Sequence, residues 1–254
     1  VVNEDWMGVS KTAVLWAKHN NIPSAHLAHN PDLFYPYTVH DQQNSDYMIF
    51  PGSRSILGYE DAGFDLSRCY VTGLPQFDAL LRASLDREKW RNIIYTRFDF
   101  DKSKPLVVFG TTWAAGLNSI NQGDFFGETL RSFFDVVVEL RDRVNFLIKG
   151  RASDGPEAEQ AVSELVREFG LENCNILYVL DDPIPYLMAA DVMVAVDSGL
   201  LVESLLVGTP AVNLFTENGL FYGPSFDADT RINTLSGHEL ADEVCRLLWD
   251  GDYR

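Results

Sequence analysis

The stretch DPIPYLMAADVMVAVDSGLLVESLLVGTPAVNLF, residues 182–215, decides the fold class. Its elements run helix, apolar strand, Ser-Gly turn, apolar helix, Gly-Thr-Pro, apolar strand. VMVAV (192–196) carries no polar side chain, the pattern of a strand covered on both faces of a parallel sheet. It ends at Asp197-Ser198-Gly199, where a small hydroxyl and a glycine lead directly into LLVESLLV. That turn sets free backbone N–H groups and the positive end of a helix dipole at the strand's carboxyl edge, where a phosphate can sit. Glu203 lies just over one helical turn beyond Ser198, so both can face one crevice. A carboxylate there suits the paired hydroxyls of a ribose. The alternative stays open that Ser198 only caps the helix and Glu203 is a solvated helix residue.

Outward from this stretch the second half repeats the scheme. The strands PLVVFG, NFLIKG, NILYV, VMVAV and AVNLF alternate with helical patterns near 125–142, 156–169, 184–190, 200–207 and 237–249. Apolar strands alternating with helices predict a doubly wound parallel sheet. The first half reads as four strands: the stub VVN, IPSAHLAHN, DYMIFPG and CYVTGLP. Helices are expected over 11–19, briefly near RSILGYEDAG, and from Gln76 to about Thr96, with Leu80, Leu81 and Leu85 on its apolar face. FDFDKSKP (98–105) is charged, ends in proline and reads as a linker. The expectation is an α/β protein of two Rossmann-like halves, residues 1–100 and 101–254, the second complete and the first partial.

Composition narrows the partners. The chain has 254 residues, 37 Asp+Glu against 20 Lys+Arg, and a formal net charge of −17. No basic stripe is present, which argues against nucleic-acid backbones and anionic membrane surfaces. Cys69, Cys174 and Cys245 are far apart, with no CxxC pair, which argues against a zinc site or a disulfide framework and for a reducing, cytoplasmic setting. The five histidines do not make a ligand set, so no metal is expected. No apolar run is long enough for a membrane helix. The start, VVNEDWMGVS, lacks the features of a signal peptide and reads as the interior of a longer protein. G-x-S-x-G, Walker A and G-x-G-x-x-G are all missing, which leaves hydrolase, P-loop and dinucleotide-cofactor readings unsupported.

The order Ser-Gly, Glu, Gly-x-Pro resembles the donor half of GT-B glycosyltransferases and of their relatives, the UDP-N-acetylglucosamine 2-epimerases and the CDP-glycerol glycerophosphotransferases. NSDYMIFPGSRSILGYEDAGFDLSRCYVTGLPQFDALL (44–81) is similar to the end of the acceptor-side domain, and KSKPLVVFGTTW to the first strand and phosphate-side loop of the donor domain. The resemblance implies that Ser198 and Gly199 hold the pyrophosphate and that Glu203 holds the ribose. Gly110, Thr111 and Thr112 resemble the loop after the first donor strand, where small residues let a phosphate approach the backbone. Lys149 and Arg151, after NFLIKG, stand where the glycerophosphotransferases carry K-x-H-P, with the Lys kept and the His-Pro absent. Each has a bland alternative as an ordinary loop or strand-end residue. His29, ending SAHLAHN, is the candidate base on the attacking hydroxyl, with His26 as its rival and Asp41 and Glu4 as secondary candidates.

The resemblance implies a metal-independent transferase that moves a sugar, or a polyol phosphate, from a nucleotide-activated donor to an acceptor hydroxyl, in the synthesis of surface polysaccharide or glycoconjugate. No separate cofactor is expected, since the nucleotide-activated donor is a substrate. Two rivals remain: an epimerase of the related family, although FTENGLFYG lacks that family's Arg after the Gly-x-Pro strand, and a binding module that keeps the crevice without chemistry.

Overall fold

The computed structural model describes residues 1–2, 8–27, 44–53, 56, 60, 65–111, 125–196, 198–215 and 233–253. The chain folds as two compact units, Val1–Ala79 and Leu80–Arg254.

In the first unit, β1 (Ala25–Leu27), β2 (Tyr47–Phe50) and β3 (Cys69–Val71) form a parallel sheet in that order. Val2 adds a parallel bridge to His26, so the expected stub strand is a single bridge in the described residues. A part-buried polar knot sets the register of β1 on β2. The Asp46 carboxylate accepts from the Ser24 backbone N–H at 2.8 Å and from its hydroxyl at 2.9 Å, just ahead of the Ala25–Tyr47 pair. These hydrogen bonds, the backbone one foremost, hold the Asp46 carboxyl below its usual range. Helix α1 (Gly8–His19) buries Val14 and leaves Val9 and Trp16 exposed. The helix expected near RSILGYEDAG falls mostly outside the described residues.

The second unit is a six-stranded parallel sheet of β4 (Leu106–Gly110), β5 (Asn145–Lys149), β6 (Ile176–Val179), β7 (Val192–Ala195), β8 (Ala211–Phe215) and β9 (Asn233–Ser236), in the order β6-β5-β4-β7-β8-β9. Strands grow outward in both directions from β4, so the switch point lies between β4 and β7. β9 is a sixth strand where five were expected. Every residue of β4, β5 and β7 is buried, as two covered faces require. Helices α4 (Phe125–Leu140), α5 (Pro156–Glu168), α6 (Ile184–Ala189), α7 (Gly199–Leu206) and α8 (Gly237–Trp249) supply the covers. The core's largest contribution comes from α4, whose Phe133 stacks on Phe109 of β4 at 4.6 Å between ring centres and meets Phe146 of β5 edge-on at 5.9 Å.

The single helix expected from Gln76 to Thr96 is two. α2 (Pro75–Ser84) stops at Leu85 and α3 (Arg87–Arg97) starts anew. Leu80 is buried, but Leu81 and Leu85 are 45% and 85% exposed, so the expected common apolar face does not exist. The expected linker at 98–105 lies inside the second unit. Phe100 is buried, and buried Asn145 of β5 donates to the carbonyls of Asp101 at 2.8 Å and Lys104 at 3.1 Å, which pins the segment to the sheet. α3 is pinned as well: Arg87 donates to Ala190 O, Val207 O and Thr209 Oγ1, and Arg91 pairs with Asp191 at 2.8 Å.

Candidate functional site

In an open α/β sheet, ligands bind outside the carboxyl ends of the strands at the switch point. Here that edge is built by the ends of β4, β5 and β7 and the turns leading away from them. Gly110 ends β4 and pairs with Lys149 of β5 on one side and Ala195 of β7 on the other. Sheet register alone therefore brings Gly110, Thr111, Lys149, Arg151, Ser198 and Gly199 to one edge. Thr112, Asp197 and His29 lie outside the described residues, as do Glu4 and Asp41. His26, the rival to His29, is buried in the middle of β1.

Ser198 takes an extended conformation, φ −115° and ψ 141°, and its hydroxyl accepts from the Leu200 N–H at 3.3 Å. It is thus an N-cap, and the positive end of α7 faces the carboxyl edge. The other end of α7 is closed with equal care. Gly208, at φ +75°, lets its N–H reach Leu205 O and lets Thr209 N–H reach Ser204 O, the paired bonds of a Schellman motif. Gly110 is what allows α7 to sit close. A Cβ there would lie 2.7 Å from Leu200 Cδ1 and 3.4 Å from Ala195 Cβ.

Lys149 is 6% exposed, and its ammonium donates to the Gly150 carbonyl. Among the described residues no carboxylate lies within ion-pair distance of it. Burial pushes the Lys149 pKa down, against the more distant charges of Asp181, Asp154 and Asp182. A buried cation held, among the described residues, only by a carbonyl is costly, and an anion at the edge would relieve the cost. Thr111 is buried as well; its N–H donates to Lys149 O at 3.0 Å and its hydroxyl to Asp154 Oδ2 at 3.4 Å. The Arg151 N–H also goes to Asp154 Oδ2, at 2.8 Å.

Glu203 is half-buried on α7, and its carboxyl accepts no hydrogen bond from the described residues. Burial first, then the charge of Asp182, push its pKa from 4.5 up to about 7. Asp182 itself accepts from the Ile184 N–H at 3.0 Å at the head of α6. Sequence reasoning missed three participants here: Asp154, Tyr178 and Asp182. Tyr178 and Asp154 were hidden because their significance is a contact between separate strand ends, while Asp182 carried a visible signal in the Asp-Pro that opens α6. No group of three or more His, Cys, Asp or Glu is placed to hold a metal ion among the described residues. No described helix is long and apolar enough to cross a membrane.

No family model and no curated protein matches the sequence. Solved structures do. The chain is similar to the UDP-GlcNAc 2-epimerase from Neisseria meningitidis bound to UDP-GlcNAc, with a TM-score of 0.70 and 14% identity over 100% of this chain and 68% of that one. It is similar to the wall teichoic acid polymerase TagF, at TM-score 0.59 and 17% identity over 89% of this chain and 60% of that one. A third is HepE from Anabaena in complex with UDP and glucose, at TM-score 0.54 and 14% identity, covering 96% of this chain and 66% of that one. The chain therefore has the GT-B fold expected from its sequence, and it spans 60–68% of the length of these three proteins.

Proposed function

We propose that this chain belongs to a GT-B-type enzyme that moves a sugar, or a polyol phosphate, from a nucleotide-activated donor to an acceptor hydroxyl. The carrying observation is Lys149, a buried ammonium without an ion-pair partner among the described residues, set at the same carboxyl edge of the sheet as the capped N-terminus of α7. Both features favour an anion, and together they match the charge that develops on a departing nucleoside phosphate. Lys149 and the α7 N-terminus stabilise the leaving phosphate. Gly110, Thr111, Arg151 and Gly199 line the surrounding edge, Thr112, outside the described residues, is assigned to the same phosphate, and Glu203 takes the ribose hydroxyls. His29 serves as the base that deprotonates the acceptor. The nucleotide leaves with its bonding electron pair, and the acceptor oxygen forms the new bond.

A second reading, sugar epimerisation on a UDP donor, draws on the likeness to the Neisseria enzyme along the whole of this chain. Incubation of the full-length protein with UDP-GlcNAc separates the two: inversion at the sugar without an acceptor supports the epimerase, and acceptor-dependent release of UDP supports transfer. Binding is tested first, by calorimetry with UDP, CDP and GDP. Glu203→Ala is expected to weaken the bound nucleotide about ten- to a hundredfold, the loss of charge-assisted hydrogen bonds worth roughly 1.5–3 kcal/mol. Unchanged affinity in that variant sinks the ribose assignment, and a wild type that binds none of the three sinks the nucleotide reading.

A further inference from the structure

One oxygen atom joins the carboxyl ends of three strands. Asp154 Oδ2 accepts from the Arg151 N–H at 2.8 Å, from the Tyr178 hydroxyl at 2.8 Å and from the Thr111 hydroxyl at 3.4 Å. Thr111 follows β4, Arg151 follows β5, and Tyr178 belongs to β6. The turn beneath is built to fit. Gly150 N–H donates to Val179 O at 2.8 Å, and a Cβ on Gly150 would lie 2.2 Å from the Tyr178 hydroxyl oxygen and 2.4 Å from its ring. Only a glycine admits Tyr178 over the turn. The buried Lys149 ammonium sits on the carbonyl of that same Gly150.

On charge alone, a carboxylate at an edge meant for phosphates is unfavourable, because it repels the anion. Its presence there calls for a compensating role, and its three hydrogen bonds define one. We propose that Asp154 is a positioning residue of the phosphate-binding edge, tying the 150–154 turn to β4 and β6 so that the carbonyl holding Lys149 stays fixed. Asp154 touches no substrate in this role. It carries a local electrostatic penalty and keeps Lys149 and Thr111 in register, the pre-organisation that anion sites depend on. The inference rests on the nucleotide reading of this edge.

Charge and positioning predict opposite signs. If charge alone counted, Asp154→Ala would bind a nucleoside diphosphate more tightly. Positioning predicts weaker binding. Wild type, Asp154→Ala, Asp154→Asn and Tyr178→Phe are titrated calorimetrically with UDP and CDP and with uridine and cytidine. Asp154→Ala is expected to lose about tenfold in diphosphate affinity, with nucleoside affinity unchanged. Asp154→Asn, which keeps an acceptor oxygen, is expected to regain most of that loss. Tyr178→Phe removes one tie and no charge, is expected to lose a few-fold, and serves if Asp154→Ala does not fold. Diphosphate binding that is equal or tighter in both Asp154→Ala and Tyr178→Phe overturns the inference. So does an equal loss for diphosphate and nucleoside, the mark of a merely structural residue. A wild type that binds no nucleotide overturns the functional reading and this inference with it, whereas tight wild-type binding with indifferent variants overturns the role of Asp154 alone.

Discussion

Replacing Glu203 with Gln tests the chemistry of the crevice without any ligand. The side chain keeps its shape and loses its proton equilibrium. Burial and the nearby Asp182 charge raise the folded-state pKa from 4.5 to about 7. The folded state therefore holds its proton more tightly than the unfolded chain, and wild-type stability falls as pH rises between those two values. At pH 5 the unfolded carboxyl is already mostly ionised while the folded one is not, a penalty of about 1 kcal/mol. The full shift, 7 less 4.5, is at about 1.4 kcal/mol per unit a ceiling of about 3.5 kcal/mol, of which about 3 kcal/mol is expressed at pH 8. Glu203→Gln is thus expected to be more stable than wild type by about 1 kcal/mol at pH 5 and about 3 kcal/mol at pH 8. Urea denaturation of both proteins at the two pH values, followed by far-ultraviolet circular dichroism, measures the difference. A stability difference that is the same at pH 5 and pH 8 refutes the reasoning, since only ionisation makes it depend on pH. The same equilibrium bears on function. Protonated Glu203 is a poorer acceptor for ribose hydroxyls, so nucleotide affinity should fall as pH drops through about 7.

Three further outcomes are expected. Gly150→Ala drives a methyl group into Tyr178 and should cost about 1–3 kcal/mol, the range for overpacking, read as a lowered urea midpoint. Asp191→Ala removes a carboxylate that accepts both Arg91 and the Leu106 N–H at 2.8 Å, and should cost about 1.5–3 kcal/mol, the loss of hydrogen bonds to a charged group, while Arg91 keeps its bonds to Ala189 O and the Tyr95 hydroxyl; a loss under 1 kcal/mol in the same denaturation assay contradicts this. With a net charge of −17, the protein should give no gel shift with DNA or RNA at physiological salt, and a salt-sensitive shift at micromolar protein contradicts the charge argument.

The sequence alone determined what depends on local pattern. VMVAV, LVVF and FLI are apolar throughout, so they read as strands covered on both faces. Ser198-Gly199 and Gly208 mark the two ends of α7 because an N-cap hydroxyl and a left-handed glycine are local requirements. The family likeness, carried by the order of such pieces, pointed to the GT-B fold that the solved structures bear out. Tertiary structure decided what depends on partners distant in the chain. β9, Asn233–Ser236, has no apolar signature of its own and is a strand because β8 offers it an edge. Residues 98–105 look like a linker until Asn145, some 40 positions on, takes up their carbonyls. Leu81 and Leu85 match a helical face that the break at Leu85 removes from the core. The same holds at the site. That Lys149 is buried, that Glu203 titrates near neutrality, and that Asp154 gathers three strand ends all depend on which segments exclude water around them. Hydrogen bonding and desolvation act through space, and a sequence records only order along the chain.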